Sequence, residues 1–225
     1  MTPLTIILAD CGLELIPKHI RKHSAVQRNL SSKNYSSQLL DNSLHHSAMK
    51  DLKDSEKRGR PDILHACLLN ALGSPLNKSG NLNLFVHTFN NKIFKFNPEL
   101  RIARNFNRFK GLMAKLLIDG EIRANGISLI TQIDTSLKAL VERINNPEII
   151  LLSSKGKLIK TPQEMFPETI SHNYIVIIGG FQKKGFSKEI ISLSDNLISI
   201  SNLSLNAWNV VGKVITYYEI KQDIT

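Results

Sequence analysis

The chain has 225 residues, enough for one domain with a proper core or for one domain carrying an elaboration. Its 29 Lys+Arg against 19 Asp+Glu leave a net charge of +10, which argues for a polyanionic partner without specifying a fold. A membrane is not expected as that partner, because the sequence holds no apolar run of spanning length and no basic amphipathic helix with exposed aromatics.

Thr2 to Ala9, with Leu4, Ile6, Ile7 and Leu8, reads as a buried strand rather than a signal peptide. Cys11-Gly12 breaks it, and Leu13 to Lys22 is expected to form a short basic helix. Cys11 and Cys67 form no CxxC pair, so two free thiols in a reducing, cytoplasmic setting are expected. Residues 24–57 turn polar and weakly periodic, an excursion with one or two short helices, and His45-His46 within it reads as solvated loop. Neither that pair nor any HExxH, cysteine framework or carboxylate cluster suggests a metal, and none is expected.

After Arg58-Gly59-Arg60 the pattern firms up. Pro61 suits the first position of a helix, Asp62 its positive first turn, and Gly73 its end, with Ile63, Leu64, Cys67, Leu68, Ala71 and Leu72 as the buried stripe. Leu82 to Thr88 and Lys92 to Asn97 form a hairpin about Asn90-Asn91, an elaboration over 82–97. Asn105 to Ile118 is helical, its Phe106, Phe109, Met113, Leu116 and Leu117 spaced for core packing. Further strands are expected over Gly126 to Ile133, Glu148 to Leu152, Tyr174 to Ile178 and Leu197 to Ile200. Helices separate them: one capped by Asp134 and running to Ile144, a short one over Thr161 to Phe166, and a final one over Leu205 to Ile220 with Trp208 in the core. Apolar strands alternating with helices predict an α/β fold with a mostly parallel sheet covered on both faces.

Parallel α/β sheets bind ligands beyond the carboxyl ends of their strands. Three such ends stand out: Leu152-Ser153-Ser154, Gly179-Gly180-Phe181 and Ile200-Ser201-Asn202-Leu203. Gly179 to Gly185 is not a GxGxxG opening a helix, and no Walker A sequence is present, so a dinucleotide or P-loop site is not supported. Two arginine-rich stretches complete the pattern, Arg58 to Asp62 and Arg101, Arg104 and Arg108. Both lie at helix entrances, where backbone N–H groups favour anions and a guanidinium fork matches phosphate. Solvated surface charge is the alternative reading. Pro98 suggests that Arg101 and Arg104 precede their helix as a loop cradle.

The blocks Arg58-Gly59-Arg60-Pro61-Asp62-Ile63-Leu64-His65, Ser74-Pro75-Leu76-Asn77, Phe96 to Phe106, Arg108 to Met113, Ile177 to Phe181 and Ile198 to Ser201 through Trp208 keep one order along nearly the whole chain. In them the chain resembles the small-subunit ribosomal RNA pseudouridine N1-methyltransferases, a branch of the SPOUT (α/β-knot) methyltransferases also involved in ribosome biogenesis. The absence of an added targeting tail looks archaeal in style.

The resemblance implies a single SPOUT domain over 1–225, with a trefoil-knotted, S-adenosylmethionine-binding region over about 148–220 and a homodimer formed across it. It also implies small-subunit rRNA as substrate. The cofactor would lie against Leu152, Gly179, Gly180, Gly185, Ile200, Ser201, Asn202, Leu203, Ser204 and Leu205. Arg60, Arg101, Arg104 and Arg108 map onto the family's RNA-contacting arginines, and Asp62 onto the aspartate of its RPD motif. The loop after Gly180 departs from the family, with Gln182-Lys183-Lys184 where a shorter, proline-bearing loop is usual.

The chemistry fits independently. Pseudouridine is joined to ribose through carbon, so its N1 carries a proton and can become a nucleophile. A sulfonium donor supplies an activated methyl group without a metal. What remains for a protein is alignment and help with the N1 proton. Asp62 could accept that proton or hold an arginine in orientation. Two other functions stay open: a non-catalytic rRNA-binding assembly factor, and a SPOUT enzyme of different specificity such as ribose 2′-O-methylation.

Overall fold

In the computed structural model, residues 2–29, 38–167 and 173–224 are described; residues 30–37 of the polar excursion lie outside them. The elements run β1 (Leu4–Cys11), α1 (Ser24–Arg28), α2 (Asn42–His45), α3 (Pro61–Gly73), α4 (Pro75–Lys78), β2 (Leu82–Thr88) and β3 (Ile93–Phe96). There follow α5 (Phe106–Asp119), β4 (Glu121–Ala124), β5 (Ile127–Ile133), α6 (Leu137–Glu142), β6 (Pro147–Leu158) and α7 (Pro162–Met165). The chain closes with β7 (Asn173–Gly179), α8 (Lys188–Ile191), β8 (Leu197–Ser199) and α9 (Ala207–Gln222).

One eight-stranded sheet, in the order β4-β5-β3-β2-β1-β7-β6-β8, organises them. The β2-β1-β7-β6-β8 part is parallel, and β3, β5 and β4 extend it in antiparallel fashion. Fully buried β1 shows why both faces must be covered. Leu4, Ile6 and Leu8 point into one core layer, while Ile7 and Ala9 point into the other. Val176 and Ile178 against Ile175 and Ile177 repeat the alternation in β7. The larger layer is built by α3, α5 and α9, the smaller by α6 and α8. A third cluster, Ile16, Ile20, Val26, Leu40, Met49 and Leu52 among its members, gives the polar excursion a small core of its own.

Several expectations are corrected. Leu13 to Lys22 is not a helix: Pro17 interrupts it, Ile16 N–H donates to Gln38 O, Leu40 N–H donates to Glu14 O, and only Lys18–Ile20 makes a 3₁₀ turn. Ser136, not Asp134, caps α6, its side chain accepting from Ala139 N–H. His45 is buried, its Nδ1 accepting from Asp41 N–H at 3.0 Å, not solvated as expected. Strand β4 is an addition to the expected elements; the turn Asn125-Gly126, φ 51° and 79°, joins it to β5 as a tight hairpin. Cys11 and Cys67 are free and buried, as expected of thiols without a partner motif.

β6 is longer than the expected Glu148 to Leu152, and the reason lies in β8. Ile198 pairs with Leu152 and again with Lys157, so residues 153–156 pass around it. Gly156 crosses so near that a Cβ there would lie 2.6 Å from Ile198 N and C.

Candidate nucleic-acid interface and ligand cavity

The carboxyl ends of β6, β7 and β8 surround a cavity of about 870 Å³, within the range of small-molecule sites. Of the residues anticipated there, Leu152, Gly179, Gly185, Ile200, Ser201, Leu203, Ser204 and Leu205 line it. Gly180 and Asn202 lie outside the lining. Gly180 instead packs on the end of β1, where a Cβ would collide with the Cys11 sulfur, and its N–H donates to Ala9 O at 2.7 Å. Lys213 on α9 holds one wall by donating to Ile200 O at 2.6 Å, and the Ser201 hydroxyl accepts from Leu203 N–H at 3.0 Å to fix the turn. Asp195, not anticipated, is the one carboxylate in the lining among the described residues. Its signal in the sequence is the polar turn Ser194-Asp195-Asn196 immediately before a strand.

Both arginine stretches lie against the first turns of α3: Arg60 at its entrance, just beyond the carboxyl end of β1, and the backbone between Arg101 and Arg104 at His65 one turn further on. Arg60 N–H donates to Gly12 O at 3.0 Å, anchoring the helix start there. The Arg60 guanidinium meets the Asp62 carboxylate as a fork, Nε to Oδ1 at 2.8 Å and the second nitrogen to Oδ2 at 2.7 Å. This hydrogen bonding raises the Arg60 pKa. Arg101 and Arg104 do precede α5, and Asn105 caps it by accepting from Arg108 N–H at 3.1 Å. His65 ties this segment to α3: its Nε2 contacts Ala103 O at 2.7 Å, and its ring stacks on Phe109 at 4.3 Å. Arg101, Arg104 and Arg108 are exposed.

Arg58 is different. It makes a buried fork with Glu14, two contacts of 2.7 Å, and lies over the Phe89 ring at 5.1 Å. Its side chain is only 11% exposed. The solvated-charge reading fails for Arg58, and so does a phosphate-facing one; it is a structural ion pair.

Burial pushes the Cys67 thiol up to about 12. Burial also raises Cys11, with neighbouring Cys67 and Asp10 adding to the effect, so neither thiol is primed as a nucleophile. No group of three or more His, Cys, Asp or Glu suited to a metal occurs among the described residues. No described helix is long and apolar enough to cross a membrane.

The family profile of the EMG1/NEP1 methyltransferases matches residues 6–219. A Staphylothermus marinus protein described as ribosomal RNA small subunit methyltransferase Nep1 is 45% identical over 216 residues, 95% of this chain and 94% of that one. Its Thermococcus onnurineus counterpart, of the same description, is 40% identical over 220 residues, 96% and 98% of the two chains. The crystal structure of Archaeoglobus fulgidus Nep1 bound to S-adenosylhomocysteine superposes with a TM-score of 0.87 at 35% identity, covering 99% of this chain and 100% of that one.

Proposed function

The chain belongs to the EMG1/NEP1 methyltransferase family, and from that premise we propose that it methylates N1 of a pseudouridine in small-subunit ribosomal RNA, using S-adenosylmethionine. The observation that carries the reading is the juxtaposition at one end of the sheet: a strand-end cavity beside an arginine-lined helix entrance.

The cavity suits the methyl donor. Apolar walls from Leu152, Ile200 and Leu205 meet backbone at Gly179 and Gly185, and the Asp195 carboxylate offers an acceptor for ribose hydroxyls or the amino group. S-adenosylmethionine supplies a sulfonium-activated methyl group when bound. The protein's part is alignment. Arg101, Arg104 and Arg108 grip RNA phosphates, while Arg60, locked by Asp62, holds the backbone nearest the cavity so that the target base turns inward. The two-point fork favours the orienting role of Asp62 over proton acceptance, since both its oxygens are already engaged. The N1 proton passes to solvent water as negative charge develops beside fixed guanidinium charge.

A trefoil knot over about 148–220 belongs to the same reading, supported by the double pairing of Ile198 with β6 on either side of Gly156. So does a homodimer across that region. Leu203 and Ile220 in that region expose 75% and 58% of their surface, and Trp208 and Tyr217 on α9 are half-buried. The whole chain would form a single SPOUT domain acting in the cytoplasm.

The test is mass spectrometry of a pseudouridine-containing rRNA hairpin after incubation with protein and labelled S-adenosylmethionine. Gain of one methyl on the pseudouridine base is expected, with none on a matched uridine hairpin. Transfer to both hairpins would identify ribose methylation instead, and tight binding without transfer an assembly factor.

A further inference from the structure

A buried polar cluster sits between the cavity and the arginine entrance and belongs to neither. Asp10, at the carboxyl end of β1, is 4% exposed and held at φ +52°, a left-handed conformation rare outside glycine. Its Oδ2 receives the Lys57 ammonium at 2.9 Å and Ser187 N–H at 2.8 Å, while Ser187 Oγ–H reaches Oδ1 at 3.3 Å. His87 accepts Asp10 N–H on Nδ1 at 3.2 Å, and Lys57 lies 4.8 Å from the centroid of the Phe181 ring.

The sequence positions of these partners matter. Phe181 and Ser187 bracket the loop that lines one wall of the cavity, and Lys57 directly precedes the Arg58-Gly59-Arg60 stretch. A second link runs over the surface, where Lys184 of the same loop meets Asp54 at 3.3 Å and Glu56 at 3.5 Å. The loop and the arginine stretch are therefore clamped together at two points, one of them dry. A buried ion pair is a poor way to gain stability, because desolvation offsets most of the attraction, but it fixes geometry strongly. Two sites joined by such a strut share a positional equilibrium, and a ligand that orders one end orders the other.

We propose that Asp10 and Lys57 are positioning residues that couple the methyl-donor loop to the RNA-holding arginines, so that cofactor and RNA each tighten binding of the other. The proposal rests on the functional reading above. Its test is calorimetric titration of S-adenosylhomocysteine into the full chain with and without a pseudouridine-containing rRNA hairpin. In the unaltered protein the hairpin should tighten S-adenosylhomocysteine binding by about fivefold or more, and reciprocity demands the same factor for RNA. In Asp10→Asn/Lys57→Met, which removes both charges at once, the factor should fall to about one, with S-adenosylhomocysteine affinity in the absence of RNA within about threefold of the original. A factor of one in the unaltered protein, or a factor unchanged in the double variant, overturns the proposal. Should that variant fail to fold, Lys57→Met alone cuts the same strut while Asp10 keeps its Ser187 donors. A reduced factor is expected there, and an unchanged one overturns the proposal. Failure of the unaltered protein to bind either ligand would be visible in the separate titrations as a failure of the underlying reading.

Discussion

The two arginine stretches look alike in the sequence and behave as opposites in the fold. In the first, Arg58 and Arg60 each meet a carboxylate through a two-point fork, one buried against Glu14 and one at the surface against Asp62. In the second, Arg101, Arg104 and Arg108 reach into solvent from a loop and the first turn of α5. Fixed guanidinium groups lose little entropy on binding and define direction. Free ones adapt to a curved phosphate backbone and contribute attraction that salt can screen. On the proposed function, the first stretch would set geometry and the second affinity.

Truncating the first stretch should produce the largest effect. Arg58→Ala strands the Glu14 carboxylate, 4% exposed, without its partner. Removing one member of a buried pair costs about 3–5 kcal/mol, so a loss near the lower end is expected in urea unfolding because Arg58 keeps some solvent contact. The salt dependence of RNA binding should not change. A changed slope with unaltered stability would reverse the assignment of the two stretches.

Arg104→Ala/Arg108→Ala should do the converse. Neither side chain is packed, so stability should stay within about 0.5 kcal/mol. RNA affinity should drop by roughly tenfold or more at low salt, and the slope of log K against log salt should shrink by roughly 0.7–0.9 for each phosphate no longer held. Unchanged slopes in a filter-binding series would remove the second stretch from the interface.

Asp62→Asn gives a smaller effect and divides the two roles of that residue. Its side chain is 46% exposed, so the fork with Arg60 is worth at most about 1 kcal/mol to stability. If Asp62 orients Arg60, RNA affinity falls a few-fold, roughly that energy expressed as binding, and methyl transfer falls with it. Intact RNA affinity with methyl transfer abolished would instead make Asp62 the proton acceptor.

What is legible in the sequence follows from which forces are local. The parallel strands, α3 with its Pro61 start, the hairpin at Asn90-Asn91 and the entrance of α5 can be read because periodicity and turn chemistry are short-range signals. The hairpin at Asn125-Gly126 is equally local, yet its apolar partner strand makes it look like a plain strand start. Long-range pairing hides the rest. Leu13 to Lys22 carries helix-forming residues, but its backbone is recruited by residues 38–40. The solvated look of His45 and of Arg58 conceals partners 4 and 44 residues away, Asp41 and Glu14. Of the cavity, the strand-end residues are readable, while Asp195 and the exclusion of Gly180 depend on how β6 wraps β8 and how β7 abuts β1.

The smallest expected effect is one of pH, and it tests both regions at once. His87 sits beside Asp10 in the clamp behind the first stretch. His45 sits beside Asp41, which binds Lys110 of α5, two residues past Arg108, at 3.0 Å. Burial lowers the pKa of both histidines: Asp10, Glu189 and a hydrogen bond to Asn91 only partly oppose it at His87, as Asp41 does at His45. The unfolded chain therefore binds protons that the folded one refuses, and stability falls as pH drops below the ordinary histidine value of about 6.5, until each folded pKa is passed. Asp41 separates cleanly. Burial would raise its pKa, but hydrogen bonds from Ser43 and Lys110 hold it below the ordinary aspartate value, so its contribution disappears only in stronger acid. Urea midpoints should decline from about pH 6.5 downward with an unchanged m-value. His87→Asn should remove part of that decline while leaving the Asp41 step in place. A flat profile between about pH 6.5 and 5 would mean that neither histidine is held neutral by its fold, and would leave the acid limb to Asp41 alone among these contacts.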